Sequence, residues 1–175
     1  MILNLSDVLS EQHKPIEQDV PVEMVQFESR YGVFRVLEKE PLVVRVDHVK
    51  DRELVIKGKG KLTLEIPCDR CLEPVSTEIP LDFCKNVNLD VADGDQTEEL
   101  DETNYIDGYT LDVEQLVHNE VLIGWPTKIL CREDCKGICN VCGQNLNQGT
   151  CECEDTSLDP RMSVIRDVFK NFKEV

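Results

Sequence analysis

The sequence predicts an α+β fold: an antiparallel, strongly curved β-sheet from the first half of the chain, one central helix, a cysteine-rich segment and a C-terminal helix. Three observations predict it. Residues 41–83 show strand-like alternation, apolar residues recur at helical spacing from Thr110, and six of the nine cysteines lie within residues 131–153. The 175 residues suffice for one domain with a small appendage. We expect a strand-rich domain over residues 1–125 and a cysteine-rich segment, residues 126–175, packed on it.

Two runs in the first half alternate between apolar and polar residues, as half-buried strands do. Within residues 53–66, one face is formed by Leu62, Leu64 and Ile66. In the next run, one face is formed by Val75, Thr77, Ile79, Leu81 and Phe83. Pro80 lies on the opposite face and predicts an edge strand or a bulge, because proline cannot donate to the ladder. Further strand candidates are residues 22–27, 32–37 and 41–49.

A Lys-Gly-Lys-Gly-Lys run at residues 57–61 lies between two strand-like segments. Its glycines predict either a tight turn or a weakened strand. Its lysines are typical of a solvated strand edge protected by charge, and they are also candidates for contact with a phosphate backbone. The candidate RNA-binding residues are therefore Lys57, Lys59 and Lys61.

Two helices are predicted in the second half. Thr110 is the expected capping residue of the first helix, which covers about residues 110–124. Its apolar residues at helical spacing are Val113, Leu116, Val117 and Val121. Asp159 followed by Pro160 indicates the start of a second, short helix over about residues 160–172.

The net charge of −16 and the pI near 4.5 disfavour a generic nucleic-acid binder, because affinity for nucleic acid comes mostly from Lys and Arg on phosphates. Such a chain suits a basic protein partner better. Residues 30–61 are mildly positive, and nearly all of the excess negative charge lies in residues 62–158. This asymmetry fits a solvated charged surface, or a basic sheet face and an acidic face with different partners.

The most acidic stretch, residues 90–102, holds seven acids and no basic residue. Such a run predicts a solvated loop, and it is also a candidate contact for a basic partner. The candidate partner-binding residues are Asp93, Asp95, Glu98, Glu99, Asp101 and Glu102.

No basic N-terminal region precedes an apolar run, and no segment has the apolar length of a membrane span. We therefore expect a cytoplasmic protein without a membrane partner. Thiols stay reduced in that compartment, so that dense cysteine spacing indicates a metal site or catalysis more than disulfides. The odd number of cysteines also argues against a closed disulfide framework.

The cysteine spacing predicts a structural metal site with zinc-ribbon-like character. Structural zinc takes four soft ligands in a tetrahedron, and two cysteines two residues apart on a tight turn supply half of such a site. One predicted site joins Cys139 and Cys142 to Cys151 and Cys153. The other four predicted ligands are Cys68, Cys71, Cys131 and Cys135, which would form a second site across a long sequence gap. One or two structural zinc ions are expected, with Cys84 left over as a buried or half-buried residue.

Three alternatives to these sites stay open. One site would use Cys131, Cys135, Cys139 and Cys142 together. The cysteines would otherwise be reduced thiols without metal, or would serve an iron–sulfur cluster or a redox relay. Neither Cys-x-x-Cys pair lies in the βαβ context of a thioredoxin-like site.

Catalytic motifs are missing from the sequence. The three histidines are scattered, and no phosphate loop, nucleophile elbow or His-Glu-x-x-His motif occurs. His118 is expected to face solvent or to pair with nearby acids. A closed site of four cysteines leaves no open metal position, so that the expected zinc is structural. We expect no enzyme activity and no small-molecule substrate.

Three segments resemble the YceD / DUF177 family, the large ribosomal RNA subunit accumulation proteins. They are CDRCLEP at residues 68–74, WPTKILCREDCKGICNVCGQNLNQGTCEC at residues 125–153 and DPRMSVI at residues 159–165. Members are small bacterial and plastid proteins needed for normal accumulation of large-subunit RNA, and no enzyme activity is established for them. Some members lack most of the C-terminal cysteines. The resemblance assigns Cys68, Cys71 and Cys135 as the most widely shared cysteine positions.

The resemblance implies a non-enzymatic ribosome-biogenesis factor for the large-subunit (23S) RNA. Because the chain is acidic, we expect it to hold a basic large-subunit ribosomal protein or an assembly factor, and to meet ribosomal RNA indirectly or weakly. The alternative is direct binding of ribosomal RNA through the basic stretch 30–61 and the zinc ribbon.

Overall fold

A computed structural model describes residues 1–10, 12–50, 53–89 and 104–153. The predicted acidic loop, with its six candidate contact residues, and the predicted C-terminal helix lie outside the described residues. The chain divides into two compact units. Unit 1 consists of residues 1–66 and 76–127, and unit 2 of residues 67–75 together with the described residues from 128 on. The packing of a cysteine-rich segment on a strand-rich domain stays a prediction.

The described residues form nine strands and two helices. The strands are β1 (Ile2–Asn4), β2 (Ile16–Val20), β3 (Gln26–Ser29), β4 (Gly32–Lys39), β5 (Leu42–Lys50), β6 (Glu53–Pro67), β7 (Pro74–Asn88), β8 (Ile106–Asp107) and β9 (Thr110–Asp112). The helices are α1 (Ser6–Leu9), which the sequence patterns did not predict, and α2 (Val113–Ile123). Neither helix is long and apolar enough to cross a membrane.

The sheets of the described chain are antiparallel wherever a register is defined, as predicted. The larger sheet has the order β2-β5-β6-β4-β3, and β7 also pairs with β6. The smaller sheet has the order β1-β9-β8. In the larger sheet the first part of β6 pairs with β5, at Val46↔Ile56, and the second part pairs with β4, at Val36↔Leu64. Irregular registers in β4 and β5 interrupt the ladders, and strong curvature of the sheet stays a prediction.

The Lys-Gly-Lys-Gly-Lys run is neither a tight turn nor a strand edge. Residues 57–61 continue β6, a central strand, and Lys57 and Lys59 lie opposite Arg45 and Val43 of β5. A β-carbon at Gly58 would overlap the Phe83 ring. The glycine is therefore explained by the close approach of an aromatic ring, a use of glycine in strand interiors that the letters alone do not reveal.

Strand β7 keeps the predicted alternation, with Ile79, Leu81 and Val87 buried. In the described chain β7 has β6 as its strand partner, so that Pro80 lies in an edge strand as its missing N–H requires. Cys84 is exposed, and the expectation of a buried or half-buried residue is wrong. Its neighbours on both sides face inward, and strict alternation turns Cys84 outward.

Helix α2 begins later than predicted. Thr110 belongs to β9 and does not cap the helix. Leu111 is buried opposite Leu3 of β1, which holds the backbone extended at this point. The capping residue is Asp112, whose carboxylate accepts from the N–H groups of Glu114 and Gln115. The helix ends at Gly124 as predicted.

Unit 1 has an apolar core between its sheets and α2. Its fully buried side chains include Phe27, Leu42, Leu54, Ile56, Leu62, Leu64, Leu111 and Leu116. A mostly buried ion pair joins α2 to β7, with Glu120 2.7 Å from Lys85 Nζ. The Lys85 ammonium also lies over the Tyr105 ring. Removing one partner would leave the other charge uncompensated and poorly solvated. The pair therefore favours the position of α2 in which Glu120 lies next to β7.

The position of the helix cap is testable by substitution. Asp112→Ala removes the carboxylate oxygen that accepts from two N–H groups and is expected to lower the free energy of unfolding by about 1 kcal/mol. Thr110→Ala is the control, because the Thr110 hydroxyl donates to the Asp107 carbonyl outside the helix. Urea unfolding followed by circular dichroism measures both. A larger loss of unfolding free energy for Thr110→Ala than for Asp112→Ala would show that Thr110, and not Asp112, caps the helix.

Candidate metal centre

The first cysteine cluster, which we call tetrad A, consists of Cys68, Cys71, Cys131 and Cys135. Their sulfurs all lie within 4.8 Å of one another. The Sγ atoms of Cys68 and Cys135 are 3.9 Å apart, and those of Cys71 and Cys131 are 3.5 Å apart. Cys68, Cys71 and Cys135 are buried, and Val75, Leu130 and Ile138 pack against them. Tetrad A therefore forms the small core of unit 2.

The second cluster, tetrad B, consists of Cys139, Cys142, Cys151 and Cys153. Its sulfurs also lie within 4.8 Å of one another. None of the four is buried, and Cys142 is exposed. The structure thus assembles the eight predicted cysteines in two groups of four. The alternative set Cys131, Cys135, Cys139 and Cys142 is divided between the two tetrads.

The two Cys-x-x-Cys turns have the same backbone architecture. The N–H of Leu72 donates to the Cys68 carbonyl at 3.0 Å, and the N–H of Gly143 donates to the Cys139 carbonyl at 2.9 Å. Both donors follow the second cysteine of their turn and have a left-handed backbone, with φ of 61° and 74°. This turn points both sulfurs to one side. Glycine at the fifth position is a signal for it, and Leu72 adopts the same conformation at a steric cost.

Backbone contacts join the two halves of tetrad A. The N–H of Asp69 donates to the Ile129 carbonyl, and the N–H of Ile129 donates to the Asp69 carboxylate at 2.6 Å. The N–H of Ile138 donates to the Arg70 carbonyl, and the Arg70 guanidinium donates to the Cys135 carbonyl at 2.7 Å. Asp69 and Arg70, the two residues between the cysteines of the first turn, thus position that turn on the distant segment.

Gly137 permits this close approach. Its φ is 80°, and a β-carbon there would lie 3.0 Å from the Arg70 carbonyl oxygen. Gly143 has a similar φ of 74°, but a β-carbon there would meet open space. The two glycines therefore serve different needs: Gly143 a turn conformation, and Gly137 a turn conformation together with backbone contact.

A set of polar side chains that the sequence patterns did not identify surrounds the sulfurs. Glu73 accepts hydrogen bonds from the amides of Asn145, at 2.9 Å, and Gln148, at 2.7 Å. The amide of Asn147 donates to Cys135 Sγ at 3.2 Å. The available signal was the motif Gln-Asn-Leu-Asn-Gln at residues 144–148, which is rich in amides and directly follows Gly143. Such outer groups orient metal ligands and tune their basicity.

The thiols of tetrad A differ in acidity. Burial opposes ionisation of Cys68, but N–H groups of Cys71, Arg70 and Cys131 directed at its sulfur outweigh burial and lower its pKa to about 6. The amide of Asn147 lowers the pKa of Cys135. Burial, followed by the neighbouring thiols, raises the pKa of Cys131 to about 12.

Tetrad B has the same unequal pattern. The N–H groups of Cys142 and Val141 lower the pKa of Cys139 to about 6. The neighbouring Cys142 sulfur, and then burial, raise the pKa of Cys153 to about 12. In each tetrad a thiolate forms easily at one sulfur and then opposes ionisation of its neighbours. A divalent cation at the centre would remove that repulsion, because it attracts all of the sulfurs.

The sulfur distances fit a single tetrahedral ion. Sulfurs about 2.3 Å from a central zinc ion stand about 3.8 Å apart at the corners of a tetrahedron. In tetrad A the Cys71–Cys131 and Cys68–Cys135 sulfur separations, 3.5 and 3.9 Å, bracket that value. Both cysteine clusters could hold a metal ion. With four sulfur ligands, such a site has no open coordination position for a substrate.

The other predicted residues that the structure describes belong to unit 1. Lys57 and Lys59 are exposed on β6. Lys61 is paired with Glu40 at 3.2 Å and with Glu78 at 3.3 Å. Among the described residues His118 pairs with no acid; it is half-buried, with its Nε2 2.7 Å from the Glu28 carbonyl oxygen and its ring packed on Phe27. A backbone carbonyl therefore takes the place of the expected acidic partner.

The chain matches a protein family over most of its length. The model of the family described as large ribosomal RNA subunit accumulation protein YceD matches residues 56–169. The matched range includes all eight cysteines of the two tetrads.

The curated relatives that match are mycobacterial. Uncharacterised proteins of Mycobacterium tuberculosis H37Rv and Mycobacterium bovis are 31% identical over 102 residues, which cover 58% of this chain and 49% of each relative. An uncharacterised protein of Mycobacterium leprae is 28% identical over 105 residues, or 60% of this chain and 48% of the relative. The chain spans about half the length of the curated relatives it matches. No solved structure matches the chain.

Gly137 and Gly143, the two glycines of unit 2 with a left-handed backbone, provide a matched test of its geometry. Gly143→Ala is expected to cost about 1 kcal/mol of unfolding free energy, because only a left-handed backbone opposes the new β-carbon. Gly137→Ala is expected to cost about 2 kcal/mol or more, because the same strain is joined by contact with a carbonyl oxygen. Urea unfolding under reducing conditions measures both variants. Equal losses would show that residue 137 does not lie against Arg70.

Proposed function

The chain belongs to the YceD family of large ribosomal RNA subunit accumulation proteins, and from that premise we propose that it is a non-enzymatic ribosome-biogenesis factor that supports accumulation or maturation of large-subunit (23S) RNA. The observation that carries this proposal is the family match, which spans residues 56–169. The factor would act in the cytoplasm, without a membrane partner or a small-molecule substrate.

We infer that the protein acts by binding a basic large-subunit ribosomal protein or an assembly factor. The net charge of −16 supports this partner, because it attracts basic proteins and repels RNA phosphates. Several cations of unit 1 are also neutralised. Arg45 lies between Glu17 and Asp47, and Lys61 between Glu40 and Glu78. Among the acids, the predicted contact residues of the segment 90–102 remain candidates for the partner surface.

The tetrads would hold one or two structural zinc ions. Four thiolates in a tetrahedron suit zinc or iron. In tetrad A the two separations of 3.5 and 3.9 Å suit one ion better than a cluster with several iron atoms, which spreads its ligands farther. The cysteines of the two tetrads would be the ligands. The ions would stabilise unit 2, whose buried core is small, and would leave the function one of binding.

Direct RNA binding is the second candidate function. The exposure of Lys57 and Lys59 on the same strand supports it. Both face the same side of β6, close to the exposed Arg45. This surface is narrow, and Asp47 lies within it. Electrostatic binding of RNA would need more unpaired cations than these.

Metal content tests the proposed zinc sites. Protein purified under reducing conditions without added zinc is expected to carry one or two zinc ions per chain, because bound thiolates resist exchange. Cys84, the exposed cysteine outside the tetrads, is expected to be the main thiol that reacts with an alkylating reagent. Elemental analysis and thiol counting measure the two quantities.

The matched control for metal content is Cys84→Ser, which should remove the fast-reacting thiol and leave the zinc content unchanged. A chain without metal, in which most cysteines react quickly, would contradict the zinc sites and leave the family role in place.

A rescue experiment separates the two candidate functions. Depletion of the protein is expected to lower the ratio of large- to small-subunit RNA, as the family role implies. The double variant Lys57→Glu/Lys59→Glu is expected to restore the ratio as well as the parent chain, because its lysines would not contact RNA. Lys61 is left unchanged, since its two ion pairs make it structural.

The control for charge in the rescue is Lys14→Glu/Lys128→Glu, which makes the same change at two exposed lysines elsewhere. If the β6 variant fails while this control rescues, direct RNA binding is favoured. Purification from cells at moderate salt should also recover a basic protein, and recovery of RNA alone would contradict the proposed partner.

A further inference from the structure

The segment between the two halves of tetrad B also contacts tetrad A. Residues 144–148, which we call the amide loop, read Gln-Asn-Leu-Asn-Gln and lie between Cys142 and Cys151. Four of the five side chains are carboxamides, which both donate and accept hydrogen bonds. The contacts of this loop therefore decide whether the two tetrads are independent.

The amide loop contacts tetrad A at both of its halves. In the half that holds Cys131 and Cys135, Asn147 donates to Cys135 Sγ at 3.2 Å, and its side-chain oxygen accepts from the Lys136 N–H at 2.8 Å. In the half that holds Cys68 and Cys71, Asn145 and Gln148 both donate to one oxygen of Glu73. The other Glu73 oxygen lies 3.8 Å from Cys71 Sγ.

The same loop is fixed by tetrad B. The Cys139 N–H donates to the Gln144 backbone carbonyl at 2.9 Å. The N–H of Leu146 donates to the Gly137 carbonyl at 2.9 Å, so that the loop runs beside the segment that leads to Cys139. An ion in tetrad B would bring Cys151 and Cys153 back to this segment and thereby close the ends of the loop.

We propose that the two tetrads bind metal cooperatively and that the amide loop is the coupling element. Each ion needs the loop ordered: tetrad B because the loop connects its halves, and tetrad A because Asn147 and the Glu73 contacts orient its ligands. Binding of the first ion includes the entropic cost of ordering the loop. The second ion binds to a loop that is already ordered, without that cost. The coupling is reciprocal, since each ion changes the affinity of the other by the same factor.

The two tetrads differ in exposure, and this difference sets the order in which they would lose their ions. No cysteine of tetrad B is buried, whereas three of tetrad A are. A chelator or a competing metal-binding protein reaches tetrad B first. Loss of that ion would free the amide loop and lower the affinity of tetrad A for its own ion.

Zinc affinities of the full chain test the coupling. Cys142→Ser/Cys151→Ser leaves only tetrad A, and Cys71→Ser/Cys131→Ser leaves only tetrad B. The product of their two zinc affinities is expected to be about 5- to 150-fold smaller than the product of both affinities in the parent chain. Competition with a chromophoric chelator measures all of them.

Asn147→Ala tests the coupling element and keeps all eight cysteines. It is expected to lower the product of the two zinc affinities in the eight-cysteine chain. The ratio of that product to the product measured with the two single-tetrad chains of the same substitution should then be close to one. Gln144→Ala is the matched control, because it removes the same amide from the same loop but its hydrogen bond ends on Thr150. Gln144→Ala should leave this ratio at its value in the parent chain. If Asn147 only stabilised the fold, Asn147→Ala would lower the zinc affinities but would also leave the ratio at that value.

The inference rests on the proposed zinc sites, and the same titrations distinguish the two failures. A chain that binds no zinc overturns both proposals. If the parent chain binds two zinc ions but the ratio of the two affinity products is one, only the coupling is overturned. If the single-tetrad chains do not fold, an equal loss of affinity in Asn147→Ala and Gln144→Ala overturns the role of Asn147.

Discussion

The convergence of four sulfurs on one point is the constraint on which unit 2 depends. Cys68 and Cys71 lie about sixty residues from Cys131 and Cys135 in the sequence, yet their sulfurs approach to 3.5–3.9 Å. Bringing such distant segments together costs loop-closure entropy, which backbone hydrogen bonds and a few buried side chains repay only in part. The left-handed turns, the close approach at Gly137 and the paired hydrogen bonds of Asp69 all serve this convergence.

Unit 2 replaces a large apolar core with sulfur and carboxamide contacts. Its core cluster contains three buried cysteines, with only Val75, Leu130 and Ile138 packed against them. Small units of this kind need covalent or metal staples to fold stably. The hydrogen bonds of Glu73, Asn145, Asn147 and Gln148 add order without apolar area. They also explain why two tetrads lie in one unit: the loop that joins the two halves of tetrad B borders the sulfurs of tetrad A.

Unit 1 is built by ordinary burial and carries the chain's charge in a balanced way where it is described. Its basic strand residues are interleaved with acids, as at Arg45 and Lys61. Such pairing neutralises part of the positive charge of unit 1, although Lys57 and Lys59 stay exposed. The net negative charge of the chain supports the proposal that the partner is a basic protein.

The sequence by itself predicted the longer antiparallel strands, a helix over about residues 110–124 and the two groups of cysteines, because alternation, helical spacing and Cys-x-x-Cys turns are local patterns. Tertiary structure decided what local patterns leave open. Asp112 caps the helix because Leu111 pairs with Leu3, and Gly58 makes room for Phe83. The amide loop is the clearest case, since hydrogen bonds between Glu73 and residues more than seventy positions away follow from the fold alone.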